Sequence, residues 1–498
     1  MTAALVGVGQ FAGAYAQLDS ICGWLSEQAT AGLTHGEVED ELATRGRELL
    51  RTLLQDHLDL LCLGEERVEV VDAEGVARSS VEHGHRRGLA SLFGGVSVER
   101  CAYRQRGQAN LHPLDAVLNL PAEKHSHGLR RLAAIESSRG SFDGTVDAIA
   151  RASGQRVGKR QVEHLAAVAA VDFEAFYAAR ATERTDAGHV VVVSADGKGV
   201  VMRPEGLRRQ TAKVAASAKL ATRLSKGEKR NRKRMATVGA VYDIVPVPRT
   251  PACIMASSPD TGTAPPETPK ATNKWLRASV IEDAATAIAA VFDEAERRDP
   301  DHDRTWVGLV DGNNHQIERL RVEADKRGVD LHIICDFVHV LEYLWSAAWS
   351  FYDEGDPTAE QWVHDNAIKI LEGHATTVAA AIRRKATYHH LDTSRRANAD
   401  RAATYLCNKA DYLDYPTALH AGWPIATGVI EGACRHLVKD RMDITGARWG
   451  PEGAEAILKL RALRVNNDFD AYWTFHTNQE HHRVHASRYK NHTIPTAA

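Results

Sequence analysis

The sequence predicts an α/β protein: a mixed sheet covered by helices, preceded by a largely helical region and interrupted late by a helical insertion. Three observations predict it. Near-continuous apolar runs at 189–195 ("HVVVVSA"), 305–310 ("TWVGLV") and 329–335 ("VDLHIIC") read as buried strands. Amphipathic stretches of helical period follow the last two runs. Regions 126–182 and 355–422 carry helical patterning.

The elements follow in order. Residues 35–64 space Val38, Leu42, Leu49, Leu50, Leu53, Leu54, Leu58 and Leu61 as an amphipathic helix does. "ASLFGGVSVERCAYRQRG" then reads as short strands around a Gly-Gly turn. The expectation is a small mixed α+β N-terminal domain over 1–125, closed by the prolines of "HPLDAVLNLPAEK". Region 126–185 predicts one helix, a break at Ser153-Gly154, and a second helix with Arg156, Lys159 and Arg160 at its start. A helix-turn-helix presents its recognition helix to DNA this way, and an ordinary helical hairpin fits the same residues equally well.

The core is expected over 186–354. "HVVVVSA" is its first strand, stopping at Asp196-Gly197; "GVVMRP" reads as the next and "RMATVGAVYDIVPV" as the third. Residues 250–275, rich in Pro, Thr and Ser, read as a loop. Helix "SVIEDAATAIAAVFDEAERR", strand "TWVGLVDG", helix "HQIERLRVEADKRG", strand "VDLHIICD" and helix "VHVLEYLWSAAWSFYD" complete it. Early strands joined by short returns pair antiparallel, and later strand–helix alternation makes parallel crossovers. That is the ribonuclease-H-like mixed sheet. A helical insertion at 355–422 follows. Region 423–475 holds a last helix, capped by Thr427 or Gly428 and carrying Glu431, Arg435, Val438 and Lys439, and then a C-terminal helix. The stretch 476–498, with His476, His481, His482, His485 and His492, lacks regular metal-ligand spacing and is expected to be a flexible tail.

Composition sets bounds. A chain of 498 residues exceeds one simple core. No apolar run reaches membrane-spanning length, and the apolar N-terminus lacks the basic start of a signal peptide, so the expected place is the cytoplasm, on the nucleoid. Seven scattered cysteines without a CxxC pair argue against a disulfide framework or a four-cysteine zinc site. The net charge of −3 hides one concentration: from Arg203 to Arg234 stand twelve Lys or Arg against two Glu. Such density attracts polyanions, and Lys229, Arg230, Arg232, Lys233 and Arg234 are candidate DNA contacts, although a charge run is also simply a solvated loop.

The strand order raises a chemical expectation. With the first strand central and the fourth beside it, Asp196 and Asp311 end neighbouring strands, at the edge where open sheets bind ligands. Glu431, on a later helix, is the candidate to close the site. Clustered carboxylates suit Mg²⁺ (or Mn²⁺), and two such ions about 3.5–4 Å apart serve in-line displacement at phosphorus. Each Asp-Gly taken alone is as well a turn, and Glu431 alone a surface acid. Asp336 and His339 in "CDFVH" are candidates to support the site or contact DNA, and fit as well a helix cap and a packed His; Asp336 is the alternative second ligand. Arg435, Lys439, Arg441 and Arg448 near Glu431 are candidate phosphate contacts or a solvated helix face, and Trp449 reads as a packing residue.

In "SADGKGV", "LVDGNNHQ", "CDFVHVLEYLW" and "GVIEGACRHLVKDRMDITGARW", with "PLDAVLNLP" upstream, the chain resembles the DDE transposases of bacterial insertion sequences, and most of all the ISKra-type family. The resemblance spans most of the chain, and its last piece is the most specific. It implies a ribonuclease-H-like catalytic domain, two Mg²⁺ or Mn²⁺ ions held by Asp196, Asp311 and Glu431, and cleavage and strand transfer at the ends of an element. It also implies double-stranded DNA as partner and a homo-oligomer on that DNA. A DNA-binding regulator that has lost catalysis, or a ribonuclease-H-like nuclease without strand transfer, are the alternatives.

Overall fold

A computed structural model describes residues 8–217, 228–256, 268–444 and 446–496. The chain divides into two compact units, one of residues 1–179 with 467–498 and the other of residues 180–466.

In the first unit, helix His35–Leu63 starts at a capping box, with the Glu37 amide donating to the Thr34 hydroxyl and the Thr34 amide to the Glu37 carboxylate. The strands expected around 90–107 are longer than the sequence suggested: β1 (Ser80–Ala90) and β2 (Gly95–Arg104) form an antiparallel hairpin. Helices Phe142–Ser153 and Lys159–Val168 form the expected pair, with Gly154 ending the first at φ +68°. Leu129, Ile149, Val157, Val162 and Leu165 pack between these helices and helix His127–Arg139.

Residues 476–492 are not the flexible tail expected. Helix Phe469–Val484 runs through the histidines into short turns as far as His492, and it returns to the N-terminal unit. His476 is 0% exposed and its Nδ1 meets Asp172 at 2.7 Å. Arg130, 1% exposed, donates to Glu480 at 2.7 Å, and Arg483 bonds Asp172. Composition alone reads as a solvated tail because it ignores position: His476, Glu480 and Arg483 follow helical spacing and share the face that meets Asp172 and Arg130.

The second unit is built on a five-stranded mixed sheet in the order β5–β4–β3–β6–β7. Its strands are β3 (Val190–Val201), β4 (Lys233–Ile244), β5 (Ala271–Ser279), β6 (Trp306–Val310) and β7 (Leu331–Cys335). β3 pairs antiparallel with β4 and parallel with β6; β4–β5 is antiparallel and β6–β7 parallel. The first core strand is thus central, with the fourth beside it.

Two strand assignments change. "HVVVVSA" and "GVVMRP" are one strand: β3 runs through Asp196-Gly197 without turning, because its pairing to β4 continues from Val190 to Val201. The third antiparallel strand is β5, in the segment read as the end of a loop. Its polar start, with Asn273 at φ +47° and a register shift opposite, hides the buried run Trp275–Ser279. The basic segment contains helix Arg209–Ala216 and a 3₁₀ turn Glu228–Arg232; residues 218–227 lie outside the described residues, as do the side chains of Lys229 and Arg230. The insertion is helical as expected, with helices Pro357–Leu371, Ala375–Tyr388 and Thr393–Asn408. Among the described residues no helix is long and apolar enough to cross a membrane.

Candidate functional site

Strand register places three aspartates side by side. Ser194 of β3 faces Leu309 of β6, two residues before Asp196 and Asp311. Val310 of β6 faces Cys335 of β7, one residue before Asp311 and Asp336. Asp196, Asp311 and Asp336 therefore stand level across three adjacent parallel strands, at the carboxyl ends of β6 and β7. Neighbouring strands lie about 4.8 Å apart, so these backbones are close enough to share a ligand.

The three are held differently. Asp196 is half-buried within β3, at the point where the parallel pairing to β6 has ended and the antiparallel pairing to β4 has not. Its Oδ2 accepts the Cys434 thiol at 3.2 Å, and its Oδ1 accepts the Gln316 side-chain amide at 3.3 Å and the Gly197 amide at 2.6 Å. Burial, with Asp196 adding to it, pushes the Cys434 thiol up, so it stays a protonated donor. Asp311, also half-buried, is a true turn residue: its Oδ1 accepts the Asn313 amide at 2.8 Å, and Gly312 follows at φ +92°.

Asp336 is 0% exposed and caps helix Phe337–Ala348. Its Oδ1 accepts the amides of Val338 (3.0 Å) and Thr427 (3.3 Å), and its Oδ2 the Thr427 hydroxyl and His339 Nδ1, both at 2.8 Å. Four donors fill both oxygens of this carboxylate. Burial works to lower the His339 pKa, but the bond to Asp336 and its charge outweigh burial and raise it.

Glu431 sits in the first turn of helix Gly428–Ala433, whose N-cap is Thr427, as expected; the next turn, Cys434–Lys439, widens to a π-helix. Thr427 does not cap with its side chain. Its hydroxyl lies 2.8 Å from Asp336 Oδ2 and 3.2 Å from Glu431 Oε1. One hydroxyl hydrogen cannot satisfy two carboxylates, so Glu431, which is exposed, keeps acceptor capacity. Ligand atoms of Asp336, His339 and Glu431 all lie within 4.8 Å of one another. Among the described residues that is the group which could hold a metal ion; Asp196 and Asp311 stand beside it without joining it. Asp196 is tied to Glu431 through Cys434, one helical turn on.

The candidate cations separate. Arg435, Lys439 and Arg448 are exposed, as are Arg156, Lys159 and Arg160 in the other unit, where Lys159 pairs with Asp143 at 2.6 Å. Arg232 and Lys233 are half-buried, and Arg234 donates to the carbonyls of Gly206 and Ile281. Arg441 is a correction: it is 2% exposed, its guanidinium lies 4.8 Å from the centre of the Trp449 ring, and burial lowers its pKa to about 10. Arg441 stands three, four and seven residues after the buried Val438, Leu437 and Cys434, so helical spacing puts it on their inward face rather than with Arg435 and Lys439. Trp449 packs, as expected, with its indole N–H on the Met442 carbonyl at 3.0 Å.

Sequence reasoning missed Gln316 and Cys434 as partners of Asp196. The signal was present for Cys434, which stands three residues after Glu431 and so on the same helix face.

No family model and no curated protein matches the chain.

Proposed function

We propose that the chain is a transposase that cleaves DNA at the ends of an insertion sequence and transfers the strands, using divalent metal. The observation that carries this reading is the level placement of Asp196 and Asp311 on the central strand and its parallel neighbour, with the Glu431 helix bonded to Asp196 through Cys434. A ribonuclease-H-like arrangement of the sheet accords with the order β5–β4–β3–β6–β7.

The donor set suits Mg²⁺ or Mn²⁺: carboxylate oxygens in excess of their hydrogen-bond donors, on half-buried or exposed side chains. Asp196, Asp311 and Glu431 would hold the ions, with Glu431 shared with the Asp336–His339–Glu431 group and the two aspartates contributing from beside that group. Bound there, the ions supply charge stabilisation for the attacking and leaving oxygens of a phosphodiester. The chain's own residues orient. Cys434 and Gln316 fix the two oxygens of Asp196. Asp336, its own lone pairs filled, holds the His339 ring by Nδ1 and ties the head of the Glu431 helix to the end of β7 through Thr427. Asp336 is thereby read as a positioning carboxylate rather than the second ligand. Exposed Arg435, Lys439 and Arg448 flank this helix and suit DNA phosphates.

The test is to incubate the protein and Mg²⁺ with labelled DNA carrying the sequences that flank its gene, together with a target plasmid. Joined products are expected. Cleavage without joining would indicate a nuclease, and binding without cleavage a regulator.

A further inference from the structure

We propose that Tyr405, in the helical insertion, is a positioning residue for Asp311, so that the insertion is a strut of the site and not an appendage to it. The inference rests on the reading of Asp311 as a metal-holding carboxylate.

Asp311 leaves β6 into a turn and has no strand pairing of its own. Gly312 turns the chain at φ +92°, and the space a side chain would need there is taken by Tyr405. A Cβ on Gly312 would lie 2.7 Å from the Tyr405 hydroxyl, 3.1 Å from Cε2 and 3.3 Å from Cζ. The contact is therefore with the ring as well as the hydroxyl, and only glycine lets the turn close against it. The hydroxyl donates to the Asp311 carbonyl across a long 3.4 Å.

The ring itself is fixed. Tyr343 stacks on it, with centroids 4.0 Å apart and planes 19° apart. Tyr343 belongs to the helix that Asp336 caps. One turn after Tyr405, the buried Lys409 donates to the Asn314 side chain, a second hold on the same turn. Insertion, turn and Asp336 helix thus meet at Tyr405. A carboxylate used as a metal ligand must be placed to within about 0.5 Å, which a free turn does not achieve and a turn wedged against a stacked aromatic pair does.

The experiment uses the full chain and Mn²⁺ alone, with binding read by electron paramagnetic resonance. Tyr405→Phe keeps the ring and should bind Mn²⁺ within about 2-fold of the wild type. Tyr405→Ala should weaken binding by about 10-fold, the scale of losing a support behind a metal ligand. In an Asp311→Asn background, Tyr405→Ala should add nothing, because its effect passes through Asp311. A loss of fold alone would weaken binding in both backgrounds and would overturn the proposal. So would Tyr405→Ala binding as the wild type does. Wild-type protein that binds no Mn²⁺ would instead remove the metal reading, and this proposal with it.

Discussion

Cys434 donates its thiol proton to Asp196 across 3.2 Å, joining the helix of Glu431 to the central strand of the sheet. Cys434 is also where the helix widens into a π-turn, and such turns recur at functional sites. If its role is to aim Asp196, Cys434→Ala should lower cleavage by roughly 5-fold, the value of one lost hydrogen bond of about 1 kcal/mol. Cys434→Ser, which keeps a donor, should recover most of it. Single-turnover cleavage rates check this, and equal losses in both variants would contradict it.

Asp311 and Asp336 should separate by what their loss does. Asp336 is buried with four donors on it, so Asp336→Ala strands those donors and should cost on the order of 2–4 kcal/mol in urea unfolding. Asp311→Asn, half-exposed, should change stability by less than about 1 kcal/mol yet abolish cleavage. Asp336→Asn that is stable but loses Mn²⁺ binding outright would instead make Asp336 a ligand.

The C-terminal helix should be indispensable to the N-terminal unit. Glu480→Ala leaves Arg130 charged and buried, a loss of about 3–5 kcal/mol. Limited proteolysis should then cut within residues 1–179 faster than in the wild type. Unchanged protection would mean that the helix is dispensable.

The same network fixes a pH dependence. Burial lowers the pKa of His476 from the usual 6.5, despite the opposing bond to Asp172. Asp172 and Glu480 are also lowered: burial opposes this, but Arg483 and His476 at Asp172, and Arg130 at Glu480, outweigh it. All three groups bind fewer protons folded than unfolded. Their stability is therefore present above the unfolded values and is lost as pH falls, first below about 6.5 through the histidine and then through the carboxylates. Thermal unfolding from pH 8 to 4 should show the first unit weakening in that window, and His476→Gln should flatten the upper part of it.

Much of this was legible in the sequence where burial writes a pattern. The runs of β3, β6 and β7 are apolar because both faces are covered, and their order followed. What was not legible depended on partners. Asp196-Gly197 looks like a turn, but β4 carries the strand past it; Asp311-Gly312 looks the same and is a turn, because β6 ends there. β5 was hidden by a polar start, and the tail by a composition that ignores helical spacing. Arg441 points inward on the face of Cys434, Leu437 and Val438; the spacing carried this signal, but the charge of Arg441 masked it. The roles of Thr427 and Tyr405 exist only through contacts far along the chain.

The most direct measurement of the central claim is cleavage of DNA carrying the gene's flanking sequences by wild-type protein and Asp196→Asn, each with Mg²⁺ or with EDTA, alongside DNA binding by the same samples. Cleavage is expected from the wild type only with metal, and none from Asp196→Asn, with DNA binding kept in both. Cleavage by Asp196→Asn at the wild-type rate, or by the wild type equally well in EDTA, would contradict it.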